Sequence, residues 1–190
     1  MFEFRPLALP GVMEITPKRH GDHRGFFSEV WSASSFASHR LDTSFVQDNH
    51  SFSVEPGVLR GLHYQTPPFE QAKLVRVIRG SIFDVAVDVR HGSPTFGEWV
   101  GLTLSAEKWN QIYVPPGFAH GFLTLEPDCE VLYKVSAPYA PQHDRGIRFD
   151  DPAVAIEWPL GELAPILSEK DRTAPTLAEA EPAFTFDALQ

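Results

Sequence analysis

Short stretches of alternating polarity, separated by turn residues, run through most of this chain. Residues 12–16, 25–31, 45–52, 58–64, 74–78, 82–89, 99–104, 111–114, 121–125 and 130–135 are rich in β-branched and aromatic side chains and predict a series of strands. So many short strands imply two packed sheets, an all-β sandwich or barrel, and the pattern favours a jelly roll. In residues 82–89 alternation puts Ile82, Asp84, Ala86 and Asp88 on one face and Phe83, Val85, Val87 and Val89 on the other. The all-apolar face is expected to be core, and the face with two carboxylates to line a cavity. Residues 32–41 predict a short peripheral helix, and Ser168-Glu169-Lys170-Asp171 a turn or helix start before an Ala/Glu/Pro-rich tail. Thr66-Pro67-Pro68 and Val114-Pro115-Pro116-Gly117 mark tight loops, and there is no repeat of fixed period.

Composition narrows the classes. A chain of 190 residues with 43% hydrophobic content can bury one good core, so a single domain over 1–190 is expected, its core spanning about 12–158. A net charge of −9 and a pI near 5.3 argue against a nucleic-acid partner and against an anionic membrane surface. The lone Cys129 permits no internal disulfide, and no apolar run reaches the roughly 18 residues of a membrane span. The residues Met1-Phe2-Glu3-Phe4-Arg5 do not read as a signal peptide, so cytoplasm is the expected compartment.

The chemistry gathers in Gly57-Val58-Leu59-Arg60-Gly61-Leu62-His63-Tyr64-Gln65 and, shortly after, at Lys73. A histidine can take a proton near neutrality, and fixed cations can hold the anion left when a proton leaves carbon beside a carbonyl. By spacing alone each residue also has a plain structural role: His63 a core histidine, Lys73 an exposed strand residue, Tyr133 a packed aromatic, Asp171 a helix cap. A second cluster, Pro115-Pro116-Gly117-Phe118-Ala119-His120-Gly121-Phe122, delivers His120 from a tight turn into a strand. This cluster resembles the second motif of the cupin superfamily, and residues 57–63 with Glu70 and Gly80 resemble the first. Metal-binding cupins usually supply two histidines one residue apart, whereas here Gln65 follows His63. His63, Glu70 and His120 make at most a partial ligand set, an amide is a poor transition-metal ligand, and the expectation is a site without metal.

The resemblance sharpens over nearly the whole chain. Asp22-His23-Arg24-Gly25-Phe26-Phe27-Ser28-Glu29, Gln47-Asp48-Asn49-His50-Ser51, residues 60–65, 71–75, 84–90, 93–97 and 115–122, Tyr133, Tyr139, Asp150-Asp151-Pro152 and residues 167–171 resemble the dTDP-4-dehydrorhamnose 3,5-epimerase family in order and spacing. The resemblance implies a jelly-roll cupin acting as a homodimer without a cofactor on a dTDP-sugar, dTDP-4-dehydro-6-deoxy-D-glucose, to give dTDP-4-dehydro-L-rhamnose. Carried over residue by residue, it implies His63 as the base, Asp171 as its carboxylate partner, Lys73 as the cation for the enolate and Tyr133 as the acid on the opposite face. Arg60 and His120 are implied as substrate contacts. For the nucleotide half it implies Arg24 and Lys170 at the diphosphate, Glu29, Gln47 and Asn49 at the nucleotide, and Tyr139 stacked on the base, with Phe27 and Asp48 in the same matched segments. Asp144 stands where the family carries glutamate, one methylene longer.

Other readings share parts of this pattern. A nucleotide-sugar epimerase inverting only C3 or C5 needs the same base and acid, and Tyr133 argues mildly for double inversion. A non-catalytic sugar-binding cupin has no need for His63, Asp171, Lys73 and Tyr133 together. A metal-dependent cupin oxygenase is disfavoured by Gln65.

Overall fold

A computed structural model describes residues 1–41 and 44–186 of the chain; residues 42–43 and 187–190 of the span expected to form the single domain lie outside the described residues. In order the elements are β1 (Phe2–Pro6), β2 (Met13–Pro17), β3 (His20–Asp22), β4 (Gly25–Phe27), α1 (Ala33–Ala37), β5 (Gln47–Ser53), β6 (Leu59–Gln65), β7 (Lys73–Arg79) and β8 (Ser81–Asp88). Then follow β9 (Arg90–His91), β10 (Trp99–Ser105), β11 (Gln111–Val114), β12 (Phe118–Thr124), β13 (Cys129–Val135), β14 (Asp144–Gly146), α2 (Glu169–Arg172) and β15 (Phe184–Thr185). A six-stranded sheet in the order β1-β2-β11-β7-β13-β5 packs on a five-stranded sheet in the order β10-β8-β12-β6-β14. The fold is all-β and cupin-like, with two short peripheral α-helices. No helix among the described residues is long and apolar enough to cross a membrane.

Between the sheets lies a core of Val75, Val77, Ile82, Ala86, Leu104, Ile112, Phe118, Phe122 and Val131. Both faces of β8 are buried, which corrects the expectation that one alone is core. Ile82 and Ala86 point into the barrel, whereas Val85, Val87 and Val89 meet Leu62, Tyr64, Ile147 and Val154 in a second core outside the five-stranded sheet. That outer core is roofed by Ile156, Trp158, Leu177, Ala180, Ala183 and Phe184, so the tail is part of the packing. Its spread-out apolar residues lack a strand or helix period, and their burial depends on a sheet that lies far away in sequence. A third core outside the six-stranded sheet packs Phe36 of α1 against Ile15, Leu74 and Tyr113. Packing therefore runs from the first strand to Phe184, wider than 12–158.

The predicted strands match observed ones except at two places. Residues 25–31 hold strand only over β4, because β3 and β4 pair with each other and, among the described residues, with no other strand. The strand read at 121–125 begins three residues earlier, at Phe118, directly after the Pro115-Pro116-Gly117 turn.

One irregularity sets up the interior. On pairing with β12, His63 lies opposite His120 and Arg60 opposite Phe122, so β6 holds one extra residue in this interval. Strict alternation would put Arg60 and His63 on opposite faces; the bulge lets both line the barrel interior. The strands approach closely there. A Cβ on Gly61, whose φ is +136°, would lie 2.5 Å from Gly121 Cα, and one on Gly121 would lie 2.8 Å from the Arg60 carbonyl oxygen. Only glycine fits on both sides. Gly61→Ala is expected to destabilise the fold by about 2–4 kcal/mol, through backbone clash and unfavourable φ. Thermal and urea unfolding would measure it, and a loss under about 0.5 kcal/mol would refute the close-approach argument.

Candidate active site

The barrel interior opens into two adjoining cavities, of about 420 Å³ and about 240 Å³, which share His63, Lys73 and Tyr133. The larger also presents Gln47, Asn49, Tyr139, Asp144 and Lys170; the smaller presents Ser51, Arg60, His120 and Asp171. His63 and His120 come from the five-stranded sheet, while Lys73 and Tyr133 come from β7 and β13 of the six-stranded sheet. The proposed base and acid thus face the shared space from opposing walls.

His63 Nε2 lies 2.5 Å from Asp171 Oδ1. Asp171 is itself fixed at the start of α2, where Ser168 Oγ donates to Oδ2 at 2.7 Å and accepts the Asp171 backbone N–H at 3.2 Å. Burial pushes the Asp171 carboxyl up, but hydrogen bonds from His63 and Ser168 outweigh it and hold the group below the usual carboxylate range. An ionised Asp171 takes the hydrogen on Nε2, so Nδ1 is the imidazole nitrogen left to accept a proton. Asp171 therefore caps nothing; Ser168 is the helix cap, and the carboxylate serves His63.

Lys73 is 8% exposed, and its Nζ donates to the His63 backbone carbonyl at 3.2 Å. Burial lowers its pKa from 10.5 to about 8, against the attraction of Asp84 and Asp144. The same loss of solvent raises the Tyr133 phenol, which nearby Arg60 partly offsets, so Tyr133 carries its proton through the neutral range. Arg60 donates to the Phe52 carbonyl at 3.2 Å and approaches Ser53 Oγ at 3.3 Å. His120 Nε2 sits 2.9 and 3.0 Å from the two oxygens of Asp84, both side chains buried.

At the mouth of the larger cavity, Asp144 accepts from Tyr139 Oη at 3.1 Å and pairs with Lys170 Nζ. The shorter aspartate thus ties together two residues expected at the nucleotide. The Tyr139 loop is held by three glutamines. Gln65 Nε2 donates to the carbonyls of Phe69 and Pro138 while its Oε1 accepts the Ala140 N–H; Gln71 Nε2 donates to the Ala137 carbonyl; Gln47 Oε1 accepts the Tyr139 N–H. Gln65 is 4% exposed and spends its amide on backbone, so it is not free for a metal. His63 and His120 each give Nε2 to a carboxylate, and among the described residues no three His, Cys, Asp or Glu side chains group as a metal site.

Not every candidate is in these cavities. Asp48 points out of the six-stranded sheet to Lys134 at 2.9 Å, because alternation along β5 turns Gln47, Asn49 and Ser51 inward. Arg24, Phe27 and Glu29 lie on or beside the β3–β4 hairpin; Arg24 pairs with Asp22, and Phe27 is 73% exposed. Within one chain these three residues line neither cavity. Sequence reasoning passed over Ser51, whose buried Oγ has no hydrogen-bond partner among the described residues, and placed Asp84 on a cavity-facing side of its strand without pairing it with His120. The period-two pattern of β5 could have found Ser51, since it shares a face with Gln47 and Asn49.

The family model described as dTDP-4-dehydrorhamnose 3,5-epimerase matches residues 6–179. The chain is 50% identical over 183 residues to the dTDP-4-dehydrorhamnose 3,5-epimerase of Sinorhizobium fredii, covering 96% of this chain and 93% of that one. Among solved structures, the dTDP-6-deoxy-D-glucose-3,5-epimerase of Legionella pneumophila, in complex with dTDP-4-keto-L-rhamnose, superposes with a TM-score of 0.94 at 44% identity, covering 99% of this chain and 100% of that one. A 3'-monoepimerase from Streptomyces bikiniensis, in complex with dTDP-quinovose, superposes with a TM-score of 0.87 at 39% identity, covering 93% and 89%. With this sequence, fold and interior, the chain belongs to the dTDP-4-dehydrorhamnose 3,5-epimerase family.

Proposed function

We propose that this protein epimerises C3 and C5 of dTDP-4-dehydro-6-deoxy-D-glucose to give dTDP-4-dehydro-L-rhamnose, in dTDP-L-rhamnose biosynthesis. The observation that carries the mechanism is the placement of His63 and Tyr133 on opposing sheets around one cavity, with the Lys73 ammonium beside both. Each stereocentre flanks the C4 ketone. His63 Nδ1 takes the proton from one face of the carbon, Lys73 holds the enolate oxygen, and Tyr133 returns a proton from the other face. The imidazolium formed is stabilised by Asp171. Exchange with water then discharges His63 and reprotonates Tyr133, so the cycle is neutral in protons and repeats at the second carbon. No redox step or Lewis acid enters this scheme.

The nucleotide half fits the larger cavity, with Tyr139 on the base, Gln47 and Asn49 lining the wall, and Lys170 released from Asp144 to the diphosphate. Remote binding energy of this kind positions the sugar for proton transfer. Arg24, Phe27 and Glu29 make a second group, in which the Phe27 ring is largely exposed in one chain. In the homodimer we propose, this hairpin completes the cavity of the partner. The chain acts as one domain, and its compartment is the cytoplasm. Inversion at a single carbon is the second reading, favoured by the likeness to the Streptomyces bikiniensis 3'-monoepimerase.

Proton NMR in deuterated water with chelator present, following C3 and C5 separately, tests the reaction. Wild type is expected to exchange at both carbons with L-rhamno product; exchange at one carbon alone would establish the second reading. His63→Ala should lose exchange at both by about 10²–10⁴-fold, whereas Tyr133→Phe should keep exchange and lose inversion. A Tyr133→Phe variant with wild-type product would remove Tyr133 from the acid role. Because protonated Lys73 is the active form, kcat/KM should fall as pH rises through about 8, the pKa of this buried ammonium, and a profile flat to pH 10 would contradict it. Gln65→Leu should raise KM about tenfold with kcat held within about threefold, since it frees the Tyr139 loop and leaves the proton-transfer groups in place; an unchanged KM would mean that the loop needs no such anchor.

A further inference from the structure

Alternation along β5 turns Gln47, Asn49, Ser51 and Ser53 toward the barrel interior. The others are matched within the fold: Gln47 Nε2 donates to Asn49 Oδ1 at 2.8 Å, and Ser53 Oγ lies 3.3 Å from Arg60 Nη2. Ser51 is the exception. Its Oγ is buried and has no hydrogen-bond partner among the described residues. Its cross-strand neighbour on β13 is Val131, 1% exposed and part of the apolar core, so the adjacent wall offers a hydroxyl nothing. A hydroxyl held out of water without a partner is destabilising, and a methyl group in its place is not. A fold that keeps this serine needs a partner for it from outside the chain.

The cavity shows where that partner sits. Ser51 lines the smaller cavity with His63, Lys73 and Tyr133, the groups of the proposed proton transfers, whereas Gln47 and Asn49 line the larger one. Passing along β5 from Gln47 to Ser51 therefore leads from the nucleotide to the sugar of the proposed substrate. The smaller cavity also has a polar and an apolar side. Ser51 and Arg60 stand where β5 meets β6, Arg60 donating to the carbonyl of Phe52 at 3.2 Å, while Phe122 lies one strand further on, in β12. The proposed sugar has the same asymmetry, with hydroxyls at C2 and C3 on one side of the C4 ketone and the C6 methyl on the other.

We infer that Ser51 is a substrate-binding residue whose hydroxyl bonds to the C2–C3 edge of the sugar and, with Arg60, fixes the rotation of the ring between His63 and Tyr133. Phe122 then faces the C6 methyl. The inference deepens the epimerase reading and rests on it for the identity of the sugar. Ser51 moves no proton. A serine hydroxyl both donates and accepts, so it serves a sugar hydroxyl in either sense, and a few placed polar groups of this kind set the orientation of a ligand in its pocket.

The test is one of binding, without turnover. The probe is dTDP-6-deoxy-D-glucose, which carries a hydroxyl in place of the C4 ketone and so has no acidic C3 or C5 proton; dTDP alone is the control. Both are titrated into the full-length protein by calorimetry. Ser51→Ala should bind the probe about fivefold more weakly and dTDP equally, as the loss of one neutral hydrogen bond requires. With one of two deoxy forms of the probe, lacking the hydroxyl at C2 or at C3, wild type and Ser51→Ala should bind alike, which names the partner. The melting temperature of Ser51→Ala should equal or exceed that of wild type, because an unmatched hydroxyl has been removed, while kcat/KM falls about fivefold. Should Ser51→Ala not fold, Ser51→Cys takes its place in the same titrations. Equal probe affinity in wild type and variant would overturn the inference, and so would a loss that persists with both deoxy forms. An equal loss for dTDP would put the contact on the nucleotide and overturn the assignment to the sugar. A lowered melting temperature would give the hydroxyl to the fold and overturn it as well. Wild type that exchanges neither C3 nor C5, with Ser51→Ala still telling the probe from its deoxy form, would defeat the epimerase reading and leave the contact standing.

Discussion

The hydrogen bond between His63 and Asp171 is the contact on which the site and much of the fold depend. Its partners are 108 positions apart, one on a central strand and the other at the start of a one-turn helix. The chain on either side of Asp171 roofs the outer core of Val85, Val87 and Tyr64, with Trp158 before Asp171 and Leu177 and Phe184 after it. The polar contact and the apolar cover therefore support each other. Ser168 sets the angle of the carboxylate, and the helix itself is too short to hold this geometry without the sheet beneath it.

The interior is organised by charge as much as by packing. Apolar residues fill one end of the barrel, and the other end carries Lys73, His63, His120, Asp84 and Asp171 in close company. Each imidazole is oriented by a carboxylate, which fixes which ring nitrogen is free. The lysine pays for its burial with a pKa near 8, low enough to make its charge sensitive to neighbours and high enough to keep it mostly protonated at neutrality. In the proposed reaction the two-layer architecture sets the stereochemistry, because His63 and Tyr133 reach the shared cavity from opposing sheets.

The bulge in β6 is the backbone counterpart of this design. Without the extra residue between Arg60 and His63, one of them would face the outer core among Leu62 and Tyr64. The paired glycines Gly61 and Gly121 permit the strands to approach at that point, so their lack of side chains is part of how the cavity acquires both a guanidinium and an imidazole on one strand.

Much of this was legible in the residues. Alternation located most strands, the motif resemblance picked out His63, Lys73, Tyr133 and Asp171, and Ser168 signalled a helix start, because these depend on local periodicity, capping and motif spacing. The structure decided what local patterns do not encode. Both faces of β8 are buried because a tail of unremarkable composition folds over one of them; Asp48 turns outward while Gln47 and Asn49 turn in, because the register of β5 against β13 fixes the alternation. Gln65, read as a missing metal ligand, is an anchor for the Tyr139 loop, donating to the Pro138 carbonyl and accepting the Ala140 N–H, both more than 70 positions away. The sequence determined which strands form and which side chains carry chemistry; tertiary structure alone decided which of them share a wall, a charge or a proton, since those relations exist only between segments that meet in space.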